Sequence, residues 1–247
     1  MSVLSPVEAS DPVVGARFPI RSSSLAATPP LEAGDHLSRD EFERRYHLMP
    51  GTKKAELLEG VVYMPSPVRW DQHGRQHAQL IHWLVSYEHA TEGTQAGDNA
   101  TVRLDLDNEP QPDATLIIDP AFGGQVTLED GYVVGAPELV VEVAASSVSI
   151  DLHTKFRVYR RAGVKEYLIW RVFDHAVDWF VRRGSDFEAM TLDAAGILKS
   201  ETFPGLWLSV PDLVRHDYRK VIALLRVGLQ SDEHAAFVER LAKTQTK

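Results

Sequence analysis

The chain has 247 residues, 44% hydrophobic and 25% charged, enough for one globular domain with extensions and no need of a second catalytic domain. It has no cysteine, which excludes disulfides, thiolate metal sites and cysteine nucleophiles, so zinc would have to rest on histidine and carboxylate. A net charge of −9 argues against a broad basic coat for gripping duplex DNA, although a cleft can be locally positive on an acidic body.

Residues 1–34 are rich in Ser, Pro and Ala, with Ser22-Ser23-Ser24 and Pro29-Pro30, and show no helical or strand period, which predicts a disordered leader. They lack a basic segment followed by an apolar core, and no later run approaches the roughly 18 consecutive apolar residues of a membrane span. The expectation is a soluble, cytoplasmic protein with no membrane partner. One domain is expected over 35–215, and a helical extension over 216–247.

Ser38, with Glu41 three residues on, has capping-box spacing and predicts a helix to about Tyr46. Ala55 to Met64 reads as paired strands turning at Glu59-Gly60, ended by Pro65-Ser66-Pro67. From Trp70 to about His89, Leu80, Ile81, Leu84 and Val85 form one face of a long helix. Thr101 to Leu106 alternates with period two, and Ala114 to Ile118 and Leu139 to Val143 are apolar runs; all three read as central sheet strands. A helix over Ile150 to Ala162 closes at Gly163, suited to a left-handed cap. Strands over Val164 to Val172 and Ala176 to Val181 follow, joined at Phe173-Asp174-His175. Strand, helix and strand in sequence predict a βαβ crossover, and the whole order fits an α/β or α+β sandwich. Tyr218 to Leu229 and Glu233 to Ala242 read as amphipathic helices that pack on the domain or on a partner chain.

Three residues carry the chemistry best as a set: Asp113 after Gln111-Pro112, Glu142 in an apolar strand, and Lys155 thirteen residues later. A hard divalent cation such as Mg²⁺ wants oxygen ligands and keeps several waters, so two carboxylates plus a substrate phosphate can hold it. An ammonium beside them can orient or help deprotonate water and offset charge developing on phosphate. Singly each has a plainer reading. Glu142 shares a strand face with Val140 and could be a strand-end acid reaching solvent. Pro112-Asp113 is common turn chemistry. Lys155 shares a helix face with Val158, Tyr159 and Ala162, which packs its stem, but most lysines face solvent. Glu56 and Glu59 could add a ligand or hold a lysine, or be hairpin surface charges.

The run Glu56 to Pro67, the Gln111-Pro112-Asp113 element, Pro137 to Val143, Lys155, and Arg161 to Tyr167 together resemble the Uma-two family, bacterial proteins assigned as restriction endonucleases of the PD-(D/E)XK nuclease superfamily. The resemblance spans about residues 37–215. It implies a restriction-endonuclease-like core, a mixed sheet flanked by helices, and divalent-metal-dependent hydrolysis of phosphodiester bonds in DNA. Mg²⁺ would be the cofactor, with Mn²⁺ an alternative. Carried over by position, Asp113 and Glu142 are the metal-binding acids. The superfamily pattern puts a lysine two residues after the second acid, where Ala144 stands; in this family Lys155 on the following helix would take that place. Glu56 would complete the catalytic set. His73, after Pro-Ser-Pro, would either contact phosphate or cap the long helix, and Ser146 and Ser147 would cap the next helix. A homodimer is expected, since two sites cut two strands most simply.

Two other functions compete. The acidic charge and displaced lysine also fit a catalytically silent nuclease scaffold that binds nucleic acid or protein. A histidine-based zinc hydrolase has only His73 and His77, four apart, to support it.

Overall fold

The computed structural model describes residues 28–52, 54–65 and 68–245. Helix α1 (Arg39–His47) leads into a hairpin, β1 (Glu56–Leu58) and β2 (Val61–Tyr63), whose turn puts Glu59 and Gly60 at positive φ, as expected. A wide π-type turn over Trp70–Gly74 opens α2 (Arg75–Glu88), after which come β3 (Thr94–Asp98), β4 (Val102–Arg103) and β5 (Ala114–Ile118). A small hairpin, β6 (Thr127–Glu129) and β7 (Tyr132–Val134), precedes β8 (Leu139–Ala144). A second π-type turn, Ile150–Lys155, opens α3 (Phe156–Ala162), and Gly163 closes it at φ 101°. Then follow β9 (Glu166–Arg171), β10 (Ala176–Arg183) and β11 (Asp186–Ala189), a hairpin of β12 (Ile197–Lys199) and β13 (Trp207–Ser209), and helices α4 (Val210–Val214), α5 (Tyr218–Gly228) and α6 (Asp232–Thr244).

Six strands form one mixed sheet in the order β11-β10-β9-β8-β5-β3. Only β8 and β9 are parallel, and α3 is the crossover between them. Both are buried along nearly their whole length, as their continuous Val, Ile and Leu content requires of strands covered on two faces. Leu139, Val141 and Val143 face the larger core with Leu80, Trp83 and Leu84 of α2. Val140 and Ala144 face the other core with Val158 and Tyr159 of α3. The strand alternation anticipated for Glu142 therefore holds, and it puts the acid on the α3 side.

Some expectations need correction. Thr101 to Leu106 is not a central strand: Val102 and Arg103 pair parallel to β7 in a separate three-stranded sheet, and Asp105 makes one isolated bridge to Asn108. Asp105 to Asn108 then turns back, its backbone held by the Asp105 carboxylate, and Leu106 is exposed. The capping box at α1 is not formed, because Ser38 makes no side-chain cap bond and Glu41 is taken by Arg44 and Arg45. Charge-assisted pairing with guanidinium outcompetes reaching back to a neutral amide. Most of the expected leader lies outside the described residues, but Leu31 is buried with Phe42 and Leu57, so packed chain begins before residue 35. The terminal helices pack on the domain itself: Val221, Leu225, Phe237 and Leu241 belong to the larger core. Among the described residues no helix is long and apolar enough to cross a membrane.

Candidate active site

The site gathers where the hairpin, the start of α2, the entry to β5, the middle of β8 and the start of α3 meet. Glu142 is carried inward by the β8 alternation, and the π-type turn before α3 points Lys155 back at it. Lys155 Nζ donates to Glu142 Oε1 at 2.9 Å, lies 3.0 Å from Glu56 Oε1, and lies 3.7 Å from Asp151 Oδ1. Tyr159, one turn further along α3, donates its hydroxyl to the same Glu142 oxygen at 3.0 Å. All four charged groups are buried.

Asp113 sits beside them at the entry to β5. Its Oδ2 accepts from the Val143 backbone N–H at 2.8 Å and from His73 Nε2 at 3.0 Å. An ionised carboxylate can only accept, so the histidine is the donor. Lys54 Nζ stands 3.6 Å from Oδ1. His77 Nε2, one turn after His73, contacts the Asp113 carbonyl at 2.8 Å and Asp98 Oδ1 at 3.0 Å, which steadies the backbone there. The backbone N–H of Asp113 reaches Glu142 Oε2 at only 3.4 Å. Each metal-binding candidate thus has one oxygen firmly held and the other weakly engaged: Asp113 Oδ1 and Glu142 Oε2.

The charges follow from this packing. Burial alone would raise the Asp113 carboxyl, but the hydrogen bond and charge of His73, with Lys54 and Lys155, hold it below the usual range. Burial pushes Glu142 up to about 8, against the pull of Lys155 and with the push of Asp113, Asp151 and Glu56. Burial also works against the Lys155 charge, yet its three acids outweigh that and keep the ammonium well above its ordinary value. A cation bound beside Asp113 and Glu142 would favour the ionised form of Glu142 that burial opposes.

Asp113, Glu142, Lys155 and Glu56 therefore lie in one cluster. Glu59 is not with them: it lies at the hairpin turn, half-exposed, paired with Arg157 at 2.8 Å. Sequence reasoning missed Asp151, Tyr159 and Lys54. Asp151 lies in the first turn of the Ile150–Lys155 element, where Ser147 Oγ donates to its Oδ2 at 2.6 Å and Oδ1 has no hydrogen bond. Tyr159 was placed on the Lys155 face but as packing only. His73 does not cap α2: its Nε2 is held by Asp113 while its Nδ1 has no hydrogen bond, and His77 Nε2 is engaged by the Asp113 carbonyl and Asp98.

Among the described residues no group of three or more acidic or histidine side chains has the arrangement of a metal centre. The donors present, two carboxylates with one weakly engaged oxygen each, fit a hard cation that keeps waters and takes the rest of its ligands from phosphate. Residues 39–211 match the model of the Uma2 family, described as "Putative restriction endonuclease". The chain belongs to the Uma2 family. No curated protein matches it. A solved structure described as "a putative nuclease belonging to DUF820" from Anabaena variabilis is 15% identical, covers 70% of this chain and 96% of its own, and aligns with a TM-score of 0.55. At that identity the likeness is one of fold, and it agrees with a restriction-endonuclease-like core of mixed sheet flanked by helices. In this Uma2 member the family match takes in the hairpin, Asp113, Glu142 and α3, so every side chain of the cluster lies inside it.

Proposed function

We propose that the chain is a divalent-metal-dependent DNA endonuclease, with Asp113 and Glu142 as the ligands of Mg²⁺ or Mn²⁺. The observation that carries this reading is the pair of buried carboxylates, each with one oxygen committed to the protein and one left weakly engaged, beside an ammonium among acids. A bound divalent ion would supply Lewis-acid polarisation of the phosphate and a more acidic water. His73 and the Val143 N–H fix the rotamer of Asp113, so its free oxygen keeps one direction. Glu56 Oε1 at 3.0 Å and Asp151 Oδ1 at 3.7 Å hold Lys155 together with Glu142. Because these acids keep Lys155 protonated, its role is to orient and to stabilise charge, and it is not the base. His73 and Lys54 are the partly open members of the cluster and mark the side from which a phosphate can approach. A cytoplasmic homodimer suits cleavage of both strands.

The test is cleavage of supercoiled and single-stranded DNA with Mg²⁺ or Mn²⁺. Asp113→Ala and Glu142→Ala should each lose more than about 100-fold, the upper range lost on removing even an outer-shell partner of a metal. Lys155→Ala should lose activity and also about 3–5 kcal/mol of stability, because buried acids lose their counter-ion; a melt run alongside separates the two effects. Cleavage that survives both acid substitutions would sink the proposal. The net charge of −9 favours a second reading, a catalytically silent scaffold. No cleavage of any DNA form, with a stable macromolecular partner recovered from cells, would favour that one.

A further inference from the structure

Four of the five tryptophans are covered by the fold. Trp83, Trp170 and Trp179 are buried in the larger core, and Trp207 is partly buried under the Lys199 ammonium, 3.9 Å from its ring. Trp70 is 75% exposed. A large aromatic surface left in water is a cost that the other four avoid. Its position is informative, because Trp70 is the first residue of the π-type turn that delivers His73 to Asp113. The turn is held rigid by the His73 and Gly74 N–H groups, which both bond to the Arg69 carbonyl. Val68 and Arg69, just before it, are exposed as well, and Lys54 supplies a second cation on the open side of the site.

We infer that Trp70 is a base-stacking platform beside the scissile phosphate, and that the substrate segment entering the site is unpaired nucleic acid. The inference rests on the nuclease reading above and gives it a substrate class. A flat, exposed indole on a rigid turn offers a π-face that any nucleobase can cover, and such stacking is tolerant of sequence. Inside a continuous duplex the base faces are already occupied by their neighbours, so Trp70 can stack only on a base that is single-stranded, splayed or at an end. Arg69 and Lys54 would meet the backbone phosphates on either side of that base. Arg69, next to Trp70 in the chain, and Lys54, beside Asp113, also answer how an acidic chain could hold a polyanion: the grip would be short and partly apolar, with a shallow salt dependence.

The test is a titration of the full chain with oligodeoxythymidylate and with a blunt duplex of equal length, read by tryptophan fluorescence with and without Mg²⁺. The single strand should quench a solvent-exposed emission and bind more tightly than the duplex. Trp70→Ala should weaken single-strand binding about ten-fold or more, leaving duplex binding unchanged, and Trp70→Phe should recover most of it. In cleavage, Trp70→Ala should raise KM for single-stranded or gapped DNA with little change in kcat. If the single strand does not quench in either condition, or Trp70→Ala binds it like wild type, the inference is overturned while cleavage of duplex leaves the nuclease reading intact. If quenching depends on protein concentration alone, a second copy covers Trp70 and the inference is likewise overturned. Quenching that is lost in Trp70→Ala without any cleavage would support the platform and overturn the nuclease reading.

Discussion

Glu142 is the residue whose chemistry is most visible in one dimension: an acid in the run Leu-Val-Val-Glu-Val-Ala has no apolar reason to be there. Lys155 is buried at the expense of hydration and returned to charge by three acids. Not every buried acid has that help. Glu109 lies against Glu43, and burial first, then this neighbouring carboxylate, raises it to about 8 despite Arg103 and Arg39. Its folded value is above the ordinary 4.5, so its stabilising contribution is complete below about pH 4.5 and is lost as pH rises through about 8. Glu109→Gln cannot ionise and should therefore lose less stability than wild type between pH 6 and pH 9. Thermal melts of the two proteins across about that range check this, and parallel curves would count against it.

At the scale of elements, the two π-type turns matter most, since each opens a helix by turning a side chain into the cluster: His73 before α2 and Lys155 before α3. The parallel pair β8 and β9 gives the second of these its direction, because the crossover helix must return over the face that carries Glu142. At the head of β9 another buried acid, Glu166, ties the sheet to the β12–β13 region. Its carboxylate accepts from Trp179 Nε1 at 3.0 Å, from Ser200 Oγ at 2.8 Å, and from the Glu201 and Thr202 N–H groups at 2.9 and 2.7 Å. Glu166→Ala would strand several buried donors and should cost about 3 kcal/mol or more in urea denaturation. Divalent-metal affinity of the folded protein should stay unchanged, as none of these contacts reaches Asp113 or Glu142.

For the whole molecule, the terminal helices are part of the core. Leu225 and Phe237 are fully buried, and the α5 end approaches the β12–β13 loop so closely that a Cβ at Gly228 would lie 2.2 Å from the Gly205 carbonyl oxygen. Burying each large apolar side chain contributes roughly 1.5–3 kcal/mol, so losing Val221, Leu225, Phe237 and Leu241 is comparable with the whole net stability of about 5–15 kcal/mol. A chain ended at Arg215 should therefore fail to give a cooperative melt and should be degraded rapidly in limited proteolysis, whereas the full chain should resist. The family match ends at residue 211, so this requirement would not be guessed from the match.

The candidacy of Asp113, Glu142 and Lys155 rested on their residue types together with the family resemblance, while periodicity and turn chemistry in the sequence determined the hairpin at Glu59-Gly60, α2, the β8–α3–β9 unit closed by Gly163 and the two C-terminal helices. These are local signals, written in residues a few positions apart. Only the tertiary structure decided that Asp151 and Tyr159 complete the Lys155 pocket, that His73 fixes Asp113, that Glu59 stays outside, and that Trp70 alone among the tryptophans is left largely bare. It also decided that Thr101 to Leu106, alternating like a central strand, mostly turns away from the sheet. Which partner satisfies a buried charge, and which apolar face is covered, depend on segments distant in the chain. Spacing along a sequence does not encode those meetings; packing does.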